Sequence, residues 1–149
     1  MRAVLQRVRE ASVTVDGAVT GAIEHGLLVL ICAEQEDTDE QTQYFARKIS
    51  KMRIFSDPAG KMNLSVQDIG GEVLVVSQFT LAANWKKGNR PGFSAAAAPS
   101  EGERLYELLC TSLQNEGLAV KKGVFGAHMD VRLLNDGPVT IIMDSKDSA

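Results

Sequence analysis

The stretch "VRLLNDGPVTIIMDS", residues 131–145, reads as two strand-forming halves around a four-residue break. Val131, Leu133 and Leu134 precede the break, and Val139, Ile141, Ile142 and Met143 follow it. Asn135-Asp136-Gly137 alone is ordinary hairpin chemistry, because these residues tolerate positive φ. Pro138 is not. It removes a backbone donor at the mouth of the second half and fixes its own φ. A stiff turn is one use of such a pair. A cis bond is another, adopted by about 5–6% of X-Pro peptides in folded proteins. The stretch predicts two strands and a rigid Gly137-Pro138 between them.

Upstream, apolar residues follow first one period and then another. Residues 2–34 read as three short strands, with Asp16-Gly17 as the hairpin signal between "ASVTV" and "AVTGAI". "LLVLICA" is apolar on both faces, the mark of a central strand. Thr38 followed by Gln41 fits a capping box, and Phe45, Ile49 and Met52 form one helical stripe. A second strongly apolar strand is expected over 72–81. "AANWKKGNRPGFSAAAAPS", residues 82–100, has no period and reads as a long loop. Ser100 with Glu103 fits another capping box, opening a helix whose stripe is Leu105, Leu108, Leu109 and Leu113. "LAVKKGVF" and the two halves of 131–145 close the chain as strands. The order predicts one α+β domain over 1–149, with a mostly antiparallel, barrel-like sheet and two helices.

Composition narrows the class. A chain of 149 residues, 44% hydrophobic and 23% charged, can bury a core of its own. The net charge of −3 means that any nucleic-acid contact needs a local basic patch. Cys32 and Cys110 lie in apolar runs and make neither a metal-ligand cluster nor a disulfide framework, so reduced core thiols are expected, with no metal and no cofactor. "GLLVLICA" is too short to span a bilayer, and charge interrupts the first residues too often for a targeting core. A cytoplasmic location and no membrane partner are expected.

Four stretches invite chemistry as well as structure. Ser77-Gln78-Phe79-Thr80-Leu81 ends a buried strand, where hydroxyls and an amide can line a pocket or satisfy the strand's last backbone groups. Lys86, Lys87 and Arg90 sit among glycines between Trp85 and Phe93, a setting for single-stranded nucleic acid or phosphate, or for a solvated loop tip. "GVFGAHMD", 123–130, places Phe125, Met129 and His128 on a Gly-rich turn that is either a packed wall or a pocket. His25 precedes Gly26 in a turn and has no assigned role. Gly137-Pro138 is the fourth.

Together these stretches resemble one family. "SQFTL" at 77–81 and "NDGPVT" at 135–140 look like the two signature motifs of the D-aminoacyl-tRNA deacylases. "QRV" at 6–8, "ASVTV" at 11–15, "RIFSD" at 53–57, "GKMN" at 60–63, "RPGFS" at 90–94 and "GVFGAHM" at 123–129 match in order along the chain. The resemblance implies hydrolysis of the ester joining a D-amino acid to the terminal ribose of tRNA, and an association with clearing glycine from the wrong tRNA. It implies a homodimer in which Gly137-Pro138 of one subunit, in the cis form, enters the pocket of the other. Ser77, Gln78, Phe79 and Thr80 would form the catalytic wall, with Phe125 and Met129 alongside the substrate. The 3′ end of D-aminoacyl-tRNA would be the partner; with a net charge of −3 its phosphates need a local patch, for which Lys86, Lys87 and Arg90 are the first choice and Lys121 and Lys122 the fallback.

The chemistry agrees with that implication and leaves the catalytic group open. A rigid main-chain obstacle rejects L side chains without reading their identity, and it cannot reject glycine. Thr80 is a candidate nucleophile, but it needs an adjacent base. The alternative uses the 2′-hydroxyl of the substrate's terminal ribose, with the protein supplying positioning and backbone N–H groups near Phe79 and Thr80. A tRNA-end binding module without turnover, or a small-molecule enzyme with its site at a dimer interface, would be the competing classes.

Overall fold

The computed structural model describes residues 1–147. Strand β1 (Arg2–Val15) organises it. Ala3 and Leu5 are buried in the cluster beneath the helices and Val8, Ala11 and Val13 in a second cluster, because the alternation of β1 slips at the register shifts around Val8. The Asp16-Gly17 turn has φ of 49° and 80° and returns the chain as β2 (Ala18–Ile23), antiparallel to the end of β1. The first half of β1 pairs antiparallel with β3 (Gly26–Cys32), Arg2 opposite Cys32 and Val8 opposite Gly26.

Helix α1 (Asp39–Lys51) opens on the expected box: Thr38 Oγ1 accepts the Gln41 N–H at 3.2 Å, and the Thr38 N–H donates to Gln41 Oε1 at 3.0 Å. Phe45 and Ile49 are buried, whereas Met52 is half-buried and lies just past the last helical turn. The short ribbon β4 (Phe55–Ser56) and β5 (Met62–Leu64) follows. Strand β6 (Glu72–Ser77) stops short of the expected Leu81, because residues Phe79–Ala82 tighten into a 3-10 turn. Helix α2 is Pro99–Asn115. Its predicted Ser100–Glu103 box does not form. Pro99 already sits in the first helical turn with its φ preset, which puts Ser100 inside the helix and leaves Ala98 as an N-cap without a side-chain bond. Leu105, Leu109 and Leu113 are buried as expected.

The largest correction falls on 131–145. The two predicted strands are one, β8 (Asp130–Asp144), which lies antiparallel along the free edge of β1 from Thr14–Asp130 to Arg2–Asp144. Gly137-Pro138 does not reverse the chain. Register shifts between Gln6 and Val8 and between Val8 and Glu10 accommodate it as a bulge. Both halves find their backbone partners on the unusually long β1, so neither needs the other.

The sheet runs β2-β1-β3-β6-β7, with β7 being Ala119–Lys122 and β8 attached to β1. Pairings of β1 with β2, β3 and β8 are antiparallel, but β3–β6 and β6–β7 are parallel. The parallel pairs arise because each intervening segment contains a helix that crosses back over the sheet. The sheet also curls toward a barrel. A Cβ added to Gly21 in β2 would come within 2.6 Å of the Lys122 carbonyl oxygen in β7, so only glycine allows the two end strands to meet. Strands β3 and β6 serve both faces. Leu27, Val29, Val73 and Val75 pack against the helices with Phe45, Ile49, Leu105 and Leu109, while Leu28, Leu74 and Val76 fill the curl with Val8, Val13 and Ile23. Cys32 and Cys110 are buried, free thiols. No helix among the described residues is long and apolar enough to cross a membrane.

Candidate active site

Parallel strands leave a crevice beyond their carboxyl ends, where the following loops diverge. Here Ile31 of β3 stands opposite Ser77 of β6, and a cavity of about 480 Å³ opens beside them. Ile31, Cys32, Ser77, Gln78 and Phe79 form one wall, Pro99, Gly102 and Tyr106 of α2 another, and Phe125 to Met129 a third. The Gln78 N–H donates to the Ile31 carbonyl at 2.8 Å, continuing the strand pairing by one residue before the 3-10 turn begins. The Leu81 N–H donates to the Gln78 carbonyl at 3.2 Å, and the Arg2 guanidinium donates to the Leu81 carbonyl at 2.9 Å. Arg2 is itself 3.2 Å from the buried Glu34 carboxylate, which also pairs with the Met1 amino group. The turn is thus pinned from behind.

The first N–H groups of such a turn lack internal acceptors. Those of Phe79 and Thr80 bond no acceptor among the described residues. Thr80 is less well placed to attack. Its side chain is exposed and is not part of the cavity wall, and its hydroxyl accepts a bond from the Gln78 amide. Among the described residues no carboxylate or imidazole touches it. His128 borders the cavity, but its ring is 96% exposed and lies 3.8 Å from Asp130. Cys32, the thiol in the wall, is held neutral: burial and the nearby Glu34 carboxylate push its pKa up to about 11. Buried Tyr106 donates its hydroxyl to the Val75 carbonyl at 3.0 Å, and its ring lies 5.8 Å from that of Phe125.

Gly137 and Pro138 are exposed, their peptide bond is cis, and neither belongs to this cavity. They are nonetheless tightly held. The Val139 N–H donates to Asn135 Oδ1 at 2.8 Å, and Asn135 Nδ2 donates to the Val139 carbonyl and to Thr140 Oγ1. Arg7, only 11% exposed, donates to the carbonyls of Asp136 and Ile54, each at 2.8 Å. Gly137 has a φ of 150°, and a Cβ there would meet Val139 N at 2.9 Å and the Arg7 guanidinium at 3.2 Å, so no other residue fits. Lys86, Lys87 and Arg90 occupy the exposed tip of the 84–92 hairpin, outside the cavity but joined to it through Phe93, whose ring meets that of Phe79 edge-on at 5.1 Å.

One chain therefore gathers Ser77, Gln78, Phe79, Phe125 and Met129 and leaves Gly137-Pro138 apart from them. Sequence reasoning passed over Tyr106, which lies between stripe positions of α2, and the anchors Arg7 and Asn135. Arg7 had a signal available, as a charged residue inside an otherwise alternating strand.

A small α+β protein with a preformed cavity at the carboxyl ends of parallel strands has the layout of an enzyme rather than of a structural module. The comparisons with known proteins narrow this class. The family model described as "D-Tyr-tRNA(Tyr) deacylase" matches residues 4–144, and the chain belongs to that family. It is 61% identical to the D-aminoacyl-tRNA deacylase of Ruegeria pomeroyi, over 97% of this chain and 99% of the relative. It is 58% identical to that of Paracoccus denitrificans over the full length of both. Among solved structures, one titled "c-Myc DNA Unwinding Element Binding Protein" superposes with a TM-score of 0.90 at 42% identity, covering 97% of this chain and 98% of the other. A probable eukaryotic D-amino acid tRNA deacylase shares the fold, with a TM-score of 0.81 at 18% identity over 95% and 97% of the two chains.

Proposed function

We propose that the chain removes D-amino acids from tRNA at a site completed by two copies, Gly137-Pro138 of one facing the cavity of the other. The coarse activity follows from family membership: the chain is a D-aminoacyl-tRNA deacylase, an ester hydrolase. The finer reading rests on one observation. A stiffly anchored, exposed Gly137-Pro138 and a cavity with free N–H donors lie apart in one chain. A two-fold pair lets each copy supply what the other lacks.

Within the completed site the roles divide by chemistry. The ester carbonyl sits against Ser77–Thr80, where the Phe79 and Thr80 N–H groups receive its oxygen as water adds to the carbon. Collapse of that intermediate breaks the bond to the ribose 3′ oxygen, which leaves with a proton, and the free carboxylic acid departs. The neighbouring 2′-hydroxyl of the substrate assists this proton movement, because Thr80 has no base beside it. Gly137-Pro138 occupies the space an L side chain would need, while a D side chain points away from it. Phe125 and Met129 pack against the substrate. Glycine has no side chain to exclude and is hydrolysed as well. The cytoplasm, where charged tRNA resides, is the expected location.

The test is hydrolysis of matched D-, L- and glycyl-tRNA by the purified protein. Release from the D and glycyl forms with the L form spared is expected. Equal D and L rates would overturn the exclusion reading. The DNA-binding title of the 42% identical structure keeps a second reading in view, nucleic-acid binding without turnover. Free amino acid released in excess of enzyme excludes it.

A further inference from the structure

We propose that Trp85 is a base-stacking platform for the unpaired 3′ end of the RNA substrate, next to the cavity that takes the terminal nucleotide. This rests on the tRNA reading above and adds the residue that grips the nucleotides preceding the terminal adenosine. The hairpin that carries Trp85 is closed rather than loose. Asn84 and Gly92 exchange both backbone bonds, at 2.7 and 2.9 Å, and the Lys86 N–H donates to the Asn84 side chain at 3.2 Å. Trp85 at its start is 74% exposed, and among the described residues its indole meets neither a ring nor a cation. Leaving so large an apolar face in water is unfavourable unless something covers it.

The surroundings specify what covers it. Lys86, Lys87 and Arg90 share the hairpin tip, and none forms an ion pair among the described residues. An apolar protein segment would leave three cations unmatched. A single nucleic-acid strand supplies both a π-face for the indole and phosphates for the cations. Position decides which part of the strand. The hairpin returns through Phe93 onto Phe79, and Phe79 is in the cavity wall, so the platform lies along the approach to the reacting ester. Stacking on an aromatic face tolerates any base. That suits an enzyme serving many tRNAs.

Trp85 is the only tryptophan, so its fluorescence reports on this position alone. Binding of uncharged tRNA is followed by anisotropy of a label on the RNA and, in parallel, by indole emission. Saturating tRNA should change the emission markedly, while the same tRNA lacking its last three nucleotides should not. Trp85→Ala should raise KM for D-aminoacyl-tRNA about tenfold with kcat little changed, and Trp85→Phe should restore much of the loss. Normal binding by anisotropy with unaltered emission, or an equal response to trimmed tRNA, would overturn the proposal while leaving the deacylase reading intact. Absence of any deacylation by the unmodified protein would instead strike that reading itself.

Discussion

The Asn135 side chain grips the Val139 backbone from both directions, accepting its N–H at 2.8 Å and donating to its carbonyl at 3.3 Å. The amide thereby does what a neighbouring strand would do, across the three residues that leave the register of β8. With Arg7 holding the Asp136 carbonyl from the β1 side, Asp136-Gly137-Pro138 stands out from the sheet without becoming a free loop. Asn135→Ala removes both bonds and leaves half-buried backbone groups unpaired. Stability should fall by about 1–3 kcal/mol in denaturant unfolding. Selectivity for D over L substrate should fall with it, because the obstacle can then yield. Asn135→Asp keeps the acceptor and should show a smaller loss of both. An unchanged D-to-L rate ratio in Asn135→Ala would mean that the clamp plays no part in selectivity.

Much of this was legible in the sequence, and the failures share a cause. The capping box at Thr38, the Asp16-Gly17 turn and the two-sided burial of "LLVLICA" are local signals, fixed by residues a few positions apart. The two separate strands expected within 131–145 proved to be one, because the local chemistry of Asn-Asp-Gly-Pro is indifferent to what lies alongside. Strand β1, more than a hundred residues away, is long enough to pair with both halves, which makes them one bulged strand. The Ser77–Phe79 and Phe125–Met129 walls were visible as motifs. Tyr106 was not, since a tyrosine between stripe leucines carries no mark of facing a cavity.

Association should be measurable directly. Among the described residues strand β8 pairs only with β1, so its outer edge offers unpaired backbone groups, and it exposes Leu134 and Ile142, the latter by 79%. Such an edge invites a second chain. The protein should sediment at twice 16.1 kDa. Ile142→Lys and Leu134→Glu together should shift it toward monomer, and deacylation should fall in proportion to the dimer remaining. A fully active monomer at assay concentration would refute the cross-subunit site.

Phosphate contacts should appear in the salt dependence. Lys122 is already paired with Glu107 at 2.9 Å, which leaves Lys86, Lys87 and Arg90, without an ion pair among the described residues, as the stronger patch. Replacing all three with alanine should weaken tRNA binding and make the slope of log affinity against log salt shallower by about 2. An unchanged slope would move the patch to Lys121 and its neighbours.

The buried thiols set an alkaline limit on stability. Burial raises Cys32 from 9.0 to about 11 and Cys110 from 9.0 to about 12. The unfolded thiols ionise first, so their contribution is complete below pH 9 and is lost as pH rises through 11 to 12. Thermal midpoints should decline above pH 9, and less steeply in Cys32→Ala or Cys110→Ala than in the unmodified protein. Cys32→Ala should also retain most of its deacylation at neutral pH, because a neutral thiol is no nucleophile. Near-complete loss without unfolding would bring Cys32 into the chemistry.

The catalytic group can be settled by a crossed experiment. If Thr80 attacks the ester, Thr80→Ala abolishes turnover and the ribose 2′-hydroxyl is dispensable. If the substrate assists itself, Thr80 contributes chiefly its backbone N–H, which alanine retains. Thr80→Ala should then keep at least about a tenth of the rate, since it loses only the bond from Gln78 and no proton relay. A D-aminoacyl-tRNA ending in 2′-deoxyadenosine should bind with near-normal affinity and be hydrolysed at least about a hundredfold more slowly, the scale of losing one general acid–base group. Single-turnover rates measured beside binding constants separate these terms. An inactive Thr80→Ala together with normal cleavage of the deoxy substrate would reverse the assignment. His128, at the rim of the cavity, would then be the next group to test as the base for Thr80.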